Sequence, residues 1–136
     1  MSVLASWTLP LVLLAQGYAA FYGDGVMEQT WTYRSSYLPP CTYCVDMVAL
    51  PEAKDIGRLV YIDWGYPTGI IGPYLVIDAA QKQHLAAMRA HQRVVEVSKR
   101  EANKRGMRGT VPVRVLWLPP EPACPAAVGG RYLPMC

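Results

Sequence analysis

Residues 93–115, RVVEVSKREANKRGMRGTVPVRV, restrict what this chain can become more than any other segment. RVVEV is short and β-branched, which suits a strand. Ser98 followed three residues later by Glu101 forms a capping box, so a helix is expected from Lys99 to Arg105. Gly106 supplies its stop, and Lys104 and Arg105 sit favourably at its negative end. TVPVRVLWL (110–118) then resumes as a strand, with Pro112 at an edge or at the start of pairing. The capping box explains Ser98 and Glu101, but nothing local explains Glu96. It is either a groove acid or a solvent-facing residue paired with Arg93 or Arg114.

Upstream, GYAAFYG (17–23), DMVALP (46–51), RLVYIDW (58–64) and GPYLVIDAA (72–80) read as strands, and GYPTG (65–69) as a hairpin-type turn. Residues 24–44 have turn residues at both ends and little periodicity, which predicts a long surface loop. AAQKQHLAAMRAHQ (79–92) predicts a helix with Leu85, Met88 and Ala86 on one face and Lys82, Gln83 and Arg89 outward. The expected fold class is mainly β: six short strands, with one or two short helices inserted between the late ones. Six strands in one domain must close or bury two faces, so a small barrel is expected. The 136 residues suit one domain, and a composition 52% hydrophobic and 17% charged excludes general disorder.

The first 17 residues carry an apolar run from Leu9 to Ala15, with Ala15 and Gly17 placed like a signal-peptidase site. An export signal is expected there, with an extra apolar strand or interaction tail as the alternative. The barrel domain is then 18–118, and the Pro/Gly-rich residues 119–136 form a C-terminal tail. Pro10 breaks the apolar run, and no stable membrane span is expected. Four cysteines, Cys41, Cys44, Cys124 and Cys136, fit structural disulfides in an oxidising compartment, with three pairings open. Zinc spacing is absent, since no second CxxC or His pair follows, and neither metal nor other cofactor is expected. Net charge is +3, but Lys82 to Arg114 holds nine of thirteen Lys and Arg. That run reads as a solvated face; no nucleic-acid motif accompanies it, and no nucleic-acid partner is expected.

Four segments taken in order, YAAFYGDG, ALPEAKDIGRLVYI, GPYLVIDAAQ and RVVEVSKREANKRGMRGTVPVRV, resemble the double-psi β-barrel family of barwin-like domains, expansin N-terminal domains and rare lipoprotein A. The likeness runs from Gly17 to Trp117. It implies a six-stranded double-psi β-barrel, secreted or in the cell envelope, with a groove for polysaccharide or peptidoglycan. In catalytic members an aspartate acts as general acid/base, and a second carboxylate accompanies it; the matching positions are Glu96 and Asp78. Paired carboxylates suit glycosidic cleavage, one protonating the leaving oxygen and the other activating water or supporting positive charge. The chain departs from the pattern in having Met47 or Val48 where the family has a histidine, and Ala79-Ala80-Gln81 where it has Arg-Gly-Pro. Polysaccharide binding is therefore the first expectation, and a lytic transglycosylase or glycosidase the alternative.

Sugar rings stack on exposed aromatic faces. Trp64 and Tyr66 in the turn, Trp31 in the long loop, and Tyr18 are the candidate platform, with Arg93 beside Glu96. Tyr22 and Tyr74 are expected in the core. Asp78 has a competing role as a helix N-cap, and His84 and His91 are expected to be solvated. A third possibility is an exported structural subunit that self-assembles through its tails.

Overall fold

The computed structural model describes residues 10–118. Six strands, β1 (Val12–Phe21), β2 (Asp46–Leu50), β3 (Leu59–Asp63), β4 (Ile70–Ala79), β5 (Arg93–Val97) and β6 (Val111–Trp117), close into a barrel in the order β1-β5-β2-β4-β3-β6. The sheet is mixed: β1–β5 and β2–β4 are parallel, and the other neighbours are antiparallel. Inward positions alternate along each strand and carry mostly valine, which fills a narrow interior without polar atoms. Val48, Val60, Val76, Val95, Val97 and Val115 are all fully buried there. Pro112 stands near the start of β6 opposite Tyr18, and closure leaves β6 paired on both sides, between β1 and β3.

β1 begins at Val12, five residues before the expected start. Val12 to Gly17 pair with β6, so the lower half of β1 comes from the segment that the sequence assigns to a leader or apolar tail. Gly17 has a packing reason of its own. A Cβ there would lie 2.2 Å from the Gln92 carbonyl oxygen, which accepts the Tyr18 N–H at 2.8 Å.

The expected 24–44 loop is in part a helix, α1 (Val26–Arg34). Its buried stripe is minimal: Met27 and Trp31, one turn apart, cover the outside of the barrel over Leu75 and Ile77. So narrow an apolar stripe in a polar segment gives little periodicity to read. Among the described residues α1 is an α-helix beyond the one or two expected between the late strands, and it precedes β2. The later pair, α2 (Lys82–Ala90) and α3 (Lys99–Lys104), lie where helices were expected.

The α3 cap differs from a full capping box. Ser98 Oγ accepts from the Glu101 N–H at 3.0 Å, and Ser98 also donates to Asp46 at 2.8 Å. The Glu101 carboxylate turns inward instead, where it accepts from the Tyr74 hydroxyl and, at 3.1 Å, from Arg105 Nε. Cys41 and Cys44 are joined in a disulfide that packs against the outer cluster beside Trp31. Cys124 and Cys136 lie outside the described residues.

Candidate functional site

Two carboxylates are brought together by strand register. Ala49 on β2 pairs with Asp78 on one side and with Glu96 on the other, and Ala20 on β1 pairs with Glu96 beyond that. Directly paired residues share a face, so Ala20, Glu96, Ala49 and Asp78 form one row across the outside of the barrel. Two strand spacings put the Asp78 and Glu96 α-carbons about 10 Å apart. The alanines flanking Glu96 fill little of the space above the sheet, and a cleft of about 420 Å³ opens between Tyr22, α2 and the strands.

Both acids owe their aim to bulges. Val48 pairs with Val76 but Ala49 pairs with Asp78, so Ile77 is an extra residue in β4. Strict alternation from inward Val76 and outward Ile77 would turn Asp78 into the core; the extra residue keeps it outside. On β5 the register with β1 likewise skips Val94, just ahead of Glu96.

The two carboxyl groups have opposite surroundings. Asp78 accepts a hydrogen bond from the Tyr22 hydroxyl at 2.7 Å and an ion-paired one from Arg34 Nη2 at 3.1 Å. It caps no helix; the N-cap of α2 is Gln81, without a side-chain bond. Glu96 is half-buried and makes no ion pair among the described residues, neither with Arg93 nor with Arg114, which pairs with Asp63. Burial raises the Glu96 carboxyl above its ordinary range; Arg93 pulls it back, and the neighbouring Asp78 charge adds to the rise. Burial and the bond to Asp78 raise the Tyr22 hydroxyl as well, keeping it a donor.

A raised Glu96 has a sign that can be checked. Its contribution to stability is complete below the ordinary glutamate value and is lost as pH rises through the higher folded value, because the folded state resists the charge. Glu96→Gln is therefore expected to melt above wild type at neutral pH. The two melting curves should converge at about pH 4 and below. A melting difference that stays constant between acid and neutral pH would rule out this environment for Glu96.

The same cleft is lined by His84, His91 and Arg93, all exposed. The histidines were expected to be solvated; they are, yet both face the acid pair. Among the described residues, no group of three His, Cys, Asp or Glu side chains is placed to hold a metal ion.

Three of the four candidate platform aromatics meet in a second cleft of about 710 Å³, where Tyr18, Trp64 and Tyr66 stand with Gln16, Gln92 and Arg114. Tyr66 is fully exposed. Trp64 is held from beneath: its Nε1 donates to the Tyr74 hydroxyl at 3.3 Å, Tyr74 in turn bonds the buried Glu101, and the Arg105 guanidinium lies 5.8 Å from the indole. Arg114 donates to Asp63 Oδ2 at 3.0 and 2.5 Å, which holds the Asp63 carboxyl below its usual range. The two clefts adjoin, since Tyr18 of one is the register partner of Arg93 of the other. Compared with known proteins, the chain matches no family model, no curated sequence and no solved structure.

Trp31 does not join this group. It sits on α1, half-buried against Met27, and lines a separate cavity beside the disulfide. The residues that sequence reasoning passed over are Tyr22, which was expected in the core, and Arg34, which lay in the supposed loop. For Arg34 the available signal was the one-turn spacing of Met27 and Trp31, which turns α1 so that its last residue reaches β4.

Proposed function

We propose that this barrel binds a polysaccharide chain along the surface joining the aromatic cleft to the carboxylate cleft. The observation that carries it is the gathering of Tyr18, Trp64 and Tyr66, from β1 and the β3–β4 turn, into one open cleft next to the acid pair. Aromatic faces with polar rims suit sugars, whose C–H surfaces stack while their hydroxyls need partners such as Gln16, Gln92 and Arg114. The double-psi form of the barrel belongs to the same proposal, supported by its two parallel pairs within a six-stranded mixed closure. So does residence outside the cell or in its envelope, supported by the Cys41–Cys44 disulfide. Among the described residues no helix is long and apolar enough to cross a membrane. Pull-down with peptidoglycan, chitin and cellulose tests the binding. Trp64→Ala is expected to weaken capture by about tenfold, the cost of truncating a central aromatic anchor; unchanged capture would remove the aromatic cleft from the proposal.

A second reading, cleavage of the bound chain, is favoured by the contrast between the two carboxyl groups. A half-buried acid without an ion pair among the described residues, set beside a carboxylate already fixed by two donors, divides the roles into an acid and a stabiliser. Glu96, whose burial favours the protonated carboxyl, would in that form give its proton to the glycosidic oxygen as the bond to the anomeric carbon breaks. The Asp78 carboxylate, fixed by Arg34 and Tyr22, would support the positive charge. Water or a hydroxyl of the sugar itself would then attack that carbon and return a proton to Glu96. Mass spectrometry of digested polymer is expected to show product formation reduced at least 100-fold in Glu96→Gln; undiminished products would leave binding alone.

A further inference from the structure

The acid pair has aromatic surface on its other side as well. Arg34, which anchors Asp78 at 3.1 Å, lies between two tyrosines: its guanidinium carbon is 5.3 Å from the Tyr33 ring centre and 5.9 Å from that of Tyr37. The rings meet edge to face with centroids 6.5 Å apart, and the Tyr37 hydroxyl accepts from Arg34 Nη1. Among the described residues Arg34 Nε is buried without a hydrogen-bond partner, so the guanidinium is committed to this cluster at real cost. Yet Tyr33 and Tyr37 remain 69% and 55% exposed. A cluster held this firmly, with both rings open to solvent, is a surface for a ligand more than a piece of core.

We infer that Tyr33 and Tyr37 form a second sugar platform, so that the ligand is a polymer lying across the acid pair with rings bound on both sides of it. The order along the surface is Tyr66 and Trp64, then Tyr18, Glu96, Asp78, Arg34, and finally Tyr37 and Tyr33. Each step is a shared cleft, a strand register or a side-chain contact: Tyr18 lies two residues along β1 from Ala20, the partner of Glu96, which is about 7 Å. A mono- or disaccharide could occupy only one platform. The occupant fitting both is an extended, uncharged or weakly charged glycan, and internal positions of the chain would lie over Glu96 and Asp78. The proposal rests on polysaccharide binding itself.

The test uses chito- and cello-oligosaccharides of increasing length in calorimetric titrations against the full chain. Wild-type affinity is expected to climb with length and then level off once both platforms are filled. Tyr33→Ala with Tyr37→Ala is expected to lower affinity for the longest oligomer about tenfold and leave the shortest bound as before, through the Trp64 side. Tyr33→Trp with Tyr37 kept, which retains a stacking face without the hydroxyl, is expected to bind the longest oligomer as tightly as wild type. Tyr33→Ala alone is expected to bind it more weakly while melting like wild type, since the Tyr33 side chain is mostly exposed. If Trp64→Ala weakens binding but the tyrosine pair changes nothing for the longest oligomer, the second platform is wrong and the first stands. If wild type binds no oligomer of either series, polysaccharide binding falls and the platform with it.

Discussion

Glu101→Ala is expected to cost the barrel about 3–5 kcal/mol, the range for removing one partner of a buried ion pair. The carboxylate is buried and serves two groups, the Tyr74 hydroxyl and Arg105 Nε. Alanine leaves Tyr74, itself fully buried, with its hydroxyl reduced to the weak bond from Trp64, and strands a guanidinium that is mostly covered. The α3 cap itself survives, because Ser98 bonds the backbone N–H of residue 101 and not its side chain. Glu101→Gln keeps an acceptor for Tyr74 but gives up the charge facing Arg105, so about half the loss is expected. Urea unfolding of the three proteins measures this directly, and a loss below about 1 kcal/mol in the alanine variant would show that the network carries no such weight. Because Trp64 leans on the same hydroxyl, the alanine variant should also bind glycan less well wherever it remains folded.

Gly17→Ala is expected to destabilise by about 3 kcal/mol, at the upper end for overpacking. The new methyl group would lie 2.2 Å from the Gln92 carbonyl oxygen and 2.9 Å from Val94 Cγ1. Side chains can rotate aside, but that oxygen is backbone and already receives the Tyr18 N–H. Relief therefore requires β1 and β5 to separate where the two clefts meet. Gly23→Ala is the comparison: its Cβ would meet nothing closer than Val26 Cγ2 at 3.7 Å, and a change within about 0.5 kcal/mol is expected. Equal midpoints for the two variants in thermal melts would mean that the strands do not cross this closely.

Five of the six strands were legible because alternation or apolar runs survive in short segments such as RLVYIDW and RVVEV. β1 was half hidden for a physical reason: the Leu, Val and Ala that line a barrel strand are also the residues of a secretory apolar core, and Gly17 looks the same whether a peptidase or a neighbouring carbonyl demands it. α1 escaped because it buries only two side chains of note. Within the site, the identities of Glu96, Asp78, Trp64, Tyr66 and Tyr18 could be read from the chain, but their grouping could not. Trp31 was placed with the wrong partners since a loop was assumed where a helix turns it inward. Asp78 presents the hardest case: its neighbours are apolar on the N-terminal side, and nothing in GPYLVIDAA marks the residue at which the pairing slips.

That slip bears on how this surface can vary. With Ile77 unpaired, position 78 has no interior neighbour to satisfy, although inward Val76 stands only two residues before it. Exchanges at 78 can thus alter charge and size outside without reshaping the valine-filled interior, at the loss of the bonds from Arg34 and Tyr22. Even removal of Ile77 would leave Asp78 directly after inward Val76 and still outward. The barrel in this way separates two kinds of inheritance: changes in the outward row that tune the cleft while the scaffold stays fixed, and changes at the inward valines that the scaffold resists.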